Sequence, residues 1–291
     1  MAGAAPCYNT VSAAALSSTR TSLHRKGEGV ATINIVVCIR QIIDPEIPAK
    51  AFRIDSEAKR AIPPKDMELV ISDYDETAVE AALQIKDHQA ASITVISLGG
   101  ESAKTAIRRC IAMGADAGLL LSDPSFDDSD SFATASVLAG AIRKMDGFDL
   151  ILCGRQEGDW DAGQVGSGIA ELLGIPSMTM IGKIELQDGK TIVERVISDG
   201  REIVECPLPA LLTVSSEIGE PRYPSLRRIR DAFKVEIPTW NNSDVPAAKA
   251  KNRLLSLSVP VRKAKCEFVE AEEPEEAGAN LALKLREAGL I

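Results

Sequence analysis

Histidine is scarce: His24 and His88 are the only two in 291 residues, one in a leading segment and one where a helix is predicted to end. Neither has a nucleophile and a carboxylate in a plausible arrangement, so hydrolysis through a histidine-based triad is excluded. The six cysteines, Cys7, Cys38, Cys110, Cys153, Cys206 and Cys266, never pair as C-x-x-C and never lie near a histidine. That argues against a zinc site or a disulfide scaffold and fits a reducing compartment. A basic excess is also missing. The 33 Lys plus Arg face 42 Asp plus Glu, a net charge of −9, which disfavours nucleic acid and acidic membrane surfaces as partners. No apolar run approaches the roughly 20 residues that a membrane span needs. What remains is 45% hydrophobic and 26% charged residues, the mixture of a soluble globular chain with one large domain or two smaller ones.

The first 27 residues contain no acid, are rich in Ala, Ser and Thr, and carry Arg20, His24, Arg25 and Lys26. This composition suits a disordered lead, with the protein in the cytoplasm, or a transit segment directing it to the mitochondrial matrix. From Ile33 onward, strand and helix signals alternate. Ile33–Ile39 is a β-branched run of the kind buried on both faces of a parallel sheet. A helix is expected over 75–88, a strand over 93–98, a helix over 101–113, and a strand over 118–121. A helix over 131–145, a strand over 149–153 and a helix over 163–173 complete the series. Alternation of this kind gives a mainly parallel sheet with helices on both faces. Asp188-Gly189 then marks an antiparallel hairpin, 201–205 adds a third such strand, and 210–215 reads as one more buried strand. Beyond Pro238 the periodicity fades until a helix over 275–288. The expected organisation is therefore an extension over 1–30, an α/β domain over 31–238, and a C-terminal arm over 239–291 that docks on another molecule.

In an open parallel sheet, ligands bind at the carboxyl ends of the strands. The richest such loop is Gly154-Arg-Gln-Glu-Gly-Asp-Trp-Asp-Ala-Gly-Gln-Val-Gly166. Its glycines let backbone N–H groups approach an anion at a helix N-terminus. Arg155 offers a fixed charge, and Asp159 and Asp161 could hold ribose hydroxyls. The spacing matches neither G-x-G-x-x-G nor the P-loop, so a turn with a helix cap stays open beside nucleotide binding. Ser97-Leu-Gly-Gly-Glu-Ser102 loosely resembles the phosphate loop of ATP pyrophosphatases but lacks its Asp; a stand-alone ATP-binding or ATP-splitting protein is the alternative of another class. Cys38 and Cys153 end strands and suit core packing. The basic cluster Arg222-Tyr-Pro-Ser-Leu-Arg-Arg-Ile-Arg230 is either a solvated segment or a docking element.

The loop G-R-Q-x-x-D-x-D-x-x-Q-V-G, with Glu220-Pro-Arg-Tyr223 and Ala112-Met-Gly-Ala-Asp116, resembles the beta subunit of electron transfer flavoproteins from about Ile33 to Trp240. The ending from Glu270 resembles that family's C-terminal arm. The resemblance implies a Rossmann-like, adenine-nucleotide-binding fold and an obligate alpha-subunit partner. It also implies electron exchange between NADH or acyl-CoA dehydrogenases and a quinone oxidoreductase or a ferredoxin or flavodoxin acceptor. Nucleotide contacts carry over to Cys38, to Ser72, Asp73, Tyr74 and Asp75, to Leu98, and to Gly154, Arg155, Gln156, Asp159, Trp160, Asp161, Ala162, Gly163, Gln164, Val165 and Gly166. The Gly163, Gln164 and Val165 amides would face the phosphate. Partner docking carries over to Tyr223, Leu226, Arg227, Arg228 and Arg230, with Leu226 as the plug. Ser72-Asp73 replaces the family's common Asn-Pro, and Trp160 is unusual in the loop. In one branch the beta subunit holds AMP as a structural ligand. In the bifurcating branch a second FAD takes that place and accepts hydride from NADH. The stretch Asp130-Ser-Phe-Ala-Thr-Ala-Ser-Val-Leu-Ala-Gly140, with Gly154-Arg-Gln and Gln164-Val-Gly166, is more similar to the bifurcating branch. The chain itself supplies binding, orientation and electrostatics, with no catalytic side chain and no metal, so enzymatic activity is expected only in a complex.

Overall fold

A computed structural model describes residues 32–65, 67–260 and 266–291; the expectations for residues 1–30 lie outside them. In chain order the strands are β1 Ile33–Ile39, β2 Gln41–Ile42, β3 Arg53–Asp55, β4 Arg60–Ile62, β5 Val70–Ile71, β6 Ala91–Leu98, β7 Ala117–Leu121, β8 Leu150–Gly154, β9 Ser177–Gln187, β10 Lys190–Ile197, β11 Gly200–Pro207, β12 Ala210–Val214 and β13 Thr239–Trp240. The helices are α1 Asp73–His88, α2 Ala103–Met113, α3 Ser131–Lys144, α4 Val165–Leu173, α5 Leu226–Ala232 and α6 Pro274–Glu287.

Nine strands form one sheet in the order β11-β10-β9-β12-β8-β1-β6-β7-β13. All neighbouring pairs are parallel except those made by β10. Strand β1 is central because Ile35 to Ile39 are buried without interruption, as a strand covered on both faces requires. Alternate residues of β1 enter two cores. Ile35, Val37 and Ile39 pack with Ala78, Val79 and Ala82 of α1 and Ile107 of α2, whereas Val36 and Cys38 pack with Leu138 and Ile142 of α3 and Ile169 of α4. The α/β expectation is thus realised, with the antiparallel extension at one edge.

The helix ends follow local chemistry. Asp73, Asp75 and Glu76 occupy the first turn of α1, and Lys86 and His88 the last, which complements the helix dipole. The Asp130 carboxylate caps α3 by accepting from Ala133 N at 2.9 Å. Helix α4 starts at Val165, two residues later than expected, because Gly163 has φ +61° and cannot join a right-handed turn. Strand β9 begins at Ser177 and pairs with both β12 and β10 through an irregular register.

The chain divides into two compact units, with residues from Ser256 onward in the second. Residues 239–255 remain with the sheet because β13 pairs with β7 and Val245 is buried against α3. The second unit comprises Ile54–Arg60 and Ser256–Ile291. Its helix α6 buries no residue within the chain.

Packing of α2 on β7 depends on Gly118, where a Cβ would lie 2.1 Å from Ile107 Cγ2. Gly118→Ala should therefore lower unfolding free energy by about 1–3 kcal/mol through overpacking. Urea titration checks this, and adding Ile107→Ala should not cost its usual full increment in the Gly118→Ala background.

Candidate functional site

Strands β1 and β8 are sheet neighbours, yet the chain leaves them in opposite directions, toward β6 from one and toward β12 from the other. A crevice opens where strand order reverses. It encloses about 540 Å³ of empty space, its open mouth included. Cys38 and Cys153 stand directly opposite each other in the β1–β8 register and, with Leu98 and Leu138, give it an apolar floor. The Cys153 thiol is held well above the usual thiol range by its hydrogen bond with Cys38 and by burial. This is packing, and it gives no reactive thiolate.

One side chain fixes the crevice. Asp75, in the first turn of α1, is buried; its Oδ2 accepts from Arg40 N at 2.8 Å and its Oδ1 from Gly154 N at 3.1 Å. These are the first amide beyond β1 and the last of β8. A Cβ on Gly154 would sit 2.6 Å from Asp75 Oδ1 and 2.7 Å from the Tyr74 carbonyl carbon. Glycine is needed there for approach. Burial pushes the Asp75 carboxyl up to about 7, against the two amide hydrogen bonds that favour its ionised form.

The loop over 154–164 is held by polar groups of its own and of Arg40, Ser72 and Tyr74. The Arg155 guanidinium lies 4.6 Å from the Tyr74 ring centroid and donates to Tyr74 Oη at 3.2 Å. Its Nε is buried with no hydrogen-bond partner among the described residues. Arg40 donates from Nε and a terminal nitrogen to Asp159 Oδ2, at 3.0 and 2.9 Å. Ser72 Oγ accepts from Gly158 N at 3.2 Å, and Asp161 Oδ1 from Gln156 Nε2 at 2.7 Å. Glu157 Oε2 accepts from Ala162 N and Gly163 N, at 3.1 and 3.0 Å.

Of the sequence-identified positions, Cys38, Asp75, Leu98, Gly154, Arg155, Gln156, Gly163, Val165 and Gly166 line the crevice. Ser72 and Tyr74 support its loop from behind. Asp159 and Asp161, proposed for ribose, are engaged with Arg40 and Gln156. Asp73 offers its carbonyl to Thr77 Oγ1 at 2.8 Å, Trp160 is 53% exposed, Ala162 lends its N–H to Glu157, and Gln164 faces a shallow groove beside Phe132 and Leu172. Sequence reading missed Ile39, Arg40, Thr134, Leu138, Cys153 and Glu157 as lining residues. The base one step past β1 was a usable signal for Arg40. Thr134 and Leu138 share a helix face by their i, i+4 spacing, but only the α3 crossover brings that face to the crevice.

Ser102 does not cap α2 through its side chain; its Oγ donates to Gln41 Oε1 at 2.9 Å. Among the described residues no cluster of three metal-ligating side chains occurs, and no helix is long and apolar enough to cross a membrane.

The basic segment is built as a platform. Arg222 donates to Glu80 at 2.8 Å and to Asp87 at 2.7 Å, which raises the Arg222 pKa and lowers that of Asp87. Ser225 Oγ caps α5 by accepting from Arg228 N. Arg228 reaches back to Met113 O at 2.9 Å, at the end of α2, so it anchors the platform from within. Tyr223 and Leu226 are left 90% and 86% exposed. Arg227 and Arg230 are exposed beside them.

Because the folded pKa of Asp75 lies above its ordinary value of 3.8, its proton is bound more tightly in the folded chain. That contribution to stability is full below about pH 4 and is lost as pH rises through about 7. Asp75→Asn should cost about 1–3 kcal/mol near pH 5, where its amide group faces a backbone N–H, and less near pH 8. Denaturant titrations of both proteins across pH 5–8 check the sign; a pH-independent difference would contradict it.

The electron transfer flavoprotein domain family matches residues 65–245. The electron transfer flavoprotein subunit beta of Clostridium acetobutylicum is 37% identical over 89% of this chain and all of its own length. The caffeyl-CoA reductase-Etf complex subunit CarD of Acetobacterium woodii is 36% identical over 89% of this chain and all of its own length. The electron transfer flavoprotein subunit beta of Thermoanaerobacterium thermosaccharolyticum is 40% identical over 75% of this chain and 82% of its own. The family match covers β8 and the loop over 154–164, on one side of the crevice, and two of these likenesses run the length of the relatives: the chain belongs to the beta subunits of the electron transfer flavoprotein family.

Proposed function

We propose that this chain is the beta half of a heterodimeric electron transfer flavoprotein and that the crevice between β1 and β8 holds the adenine nucleotide of FAD or AMP. The observation that carries this reading is the crevice itself, at the switch point of a parallel sheet. Its floor is apolar, and one wall ends in the Gly163–Val165 turn at the start of α4. Adenine and phosphate want those two surfaces side by side.

The residues present fit such a group. The unpartnered Arg155 Nε offers a buried donor, and the Gly163, Gln164 and Val165 amides lie at a helix N-terminus that favours an anion. Asp75 holds both strand ends in place, and Tyr74 restrains Arg155, so the donors are oriented before a ligand arrives. When FAD is bound it supplies the electron chemistry, including hydride acceptance from NADH in a bifurcating protein. The motif likeness around Asp130–Gly140 and Gly154–Gly166 favours the bifurcating branch.

The second unit supports an alpha-subunit partner. Phe268, Leu290 and Ile291 are each at least 71% exposed, and apolar groups on a segment with no core of its own call for a partner surface. The Tyr223 and Leu226 platform has the form of a docking plug: an apolar anchor ringed by arginines for an acidic dehydrogenase surface.

Acid release and quantification of FAD and AMP from the heterodimer tests the cofactor reading. About two FAD per dimer is expected for the bifurcating branch; one FAD with one AMP would assign a structural nucleotide, and neither ligand would overturn the proposal. Gly163→Val, strained at φ +61° and 3.3 Å from Arg155 O, should expel the nucleotide from this subunit. Leu226→Asp should abolish electron transfer with an acyl-CoA dehydrogenase while leaving the cofactor count unchanged, and loss of cofactor would show the plug to be misplaced.

A further inference from the structure

Glu157 puts a carboxylate where an anion-binding loop gains nothing from one. Its Oε2 accepts from two successive amides, Ala162 N at 3.1 Å and Gly163 N at 3.0 Å. Two consecutive N–H groups converging on one oxygen form an anion seat. Asp161 at φ +51° and Gly163 at φ +61° supply the left-handed turn that aims them together. Glu157 and Gly163 both line the crevice, with Arg40 and Arg155 nearby.

The neighbouring acids are used otherwise. Asp159 is ion-paired with Arg40, and Asp161 takes the Gln156 amide. Among the three acids of this turn, Glu157 is the one whose carboxylate sits on main-chain N–H groups. A phosphate oxygen needs the same amides at about 3 Å. Two anions cannot share them, because charges of like sign at such separation repel strongly in a partly desolvated cleft.

Resting on the proposed nucleotide site, we propose that Glu157 is a specificity-determining residue, an internal anion that competes with a ligand's phosphate for the Ala162 and Gly163 amides. It weakens phosphorylated ligands in proportion to the charge at that seat, and it leaves recognition of the nucleoside portion untouched. Binding therefore includes displacement of Glu157 into solvent, and a crevice that holds its ligand strongly must recover that cost through other contacts.

Calorimetric titration of the full chain with AMP and with adenosine separates these effects. Glu157→Gln keeps an acceptor for the two amides and removes the charge. It should bind AMP about tenfold more tightly than the parent chain, with adenosine affinity unchanged. Glu157→Ala, which removes the competitor entirely, should shift AMP affinity in the same direction. Unchanged or weaker AMP binding in both variants, with circular dichroism showing an intact fold, would overturn the role of Glu157. An equal gain for adenosine would do so as well, since the effect would not be at the phosphate. Should neither ligand bind the parent chain or either variant, the nucleotide reading of the crevice fails, and this inference falls with it.

Discussion

One buried carboxylate sets the geometry on which the site depends. Asp75 ties the end of β1, the end of β8 and the start of α1 into a single clasp, with both of its oxygens satisfied by main-chain N–H groups. Without it, two strand ends at a point of reversed order would be joined only by their ladder, and the amide of Gly154 would be buried without a partner. Burial and hydrogen bonding act on this group in opposite directions, and burial prevails. The clasp therefore binds its proton near neutral pH, which couples the local structure of the crevice to pH more tightly than an exposed carboxylate would.

Helix α1 extends the same frame to the second surface. Its N-terminal turn carries Asp75, and farther along Glu80 and Asp87 receive Arg222. Glu80 is almost fully buried, so the pair is a geometric constraint more than a source of stability: removal of the arginine would leave a charge with nowhere to go. The Arg228 contact with Met113 O closes the platform from α2. Crevice and platform are thus positioned by one rigid helix. That arrangement fixes the separation between the crevice and the platform.

Most of this architecture was legible because its signals are local. Continuous burial in β1, the i, i+4 faces of α1 and the Asp188-Gly189 turn each report on one element, and one element at a time is what periodicity encodes. The crevice was legible through topology, since strand ends and helix starts can be placed without knowing side-chain contacts. Three features were not legible. Strand β13, two residues long, exists only because β7 offers it an edge. Arg40 and Asp159 pair across 119 residues. Glu157 reads as one more acid in an acidic loop until the turn at Asp161 and Gly163 folds the amides back onto it. The first two depend on tertiary contacts and the third on a local positive-φ turn, and residue spacing alone specifies none of these pairings.

The claim that most of this account rests on is that an adenine nucleotide occupies the crevice between β1 and β8. Amide hydrogen exchange of the full chain with and without AMP tests it at the level of segments. The account predicts slowed exchange in 38–40 and 154–166, which flank the crevice, with the β9–β11 hairpin unaffected. Protection confined to the hairpin, or none at saturating AMP, would contradict it.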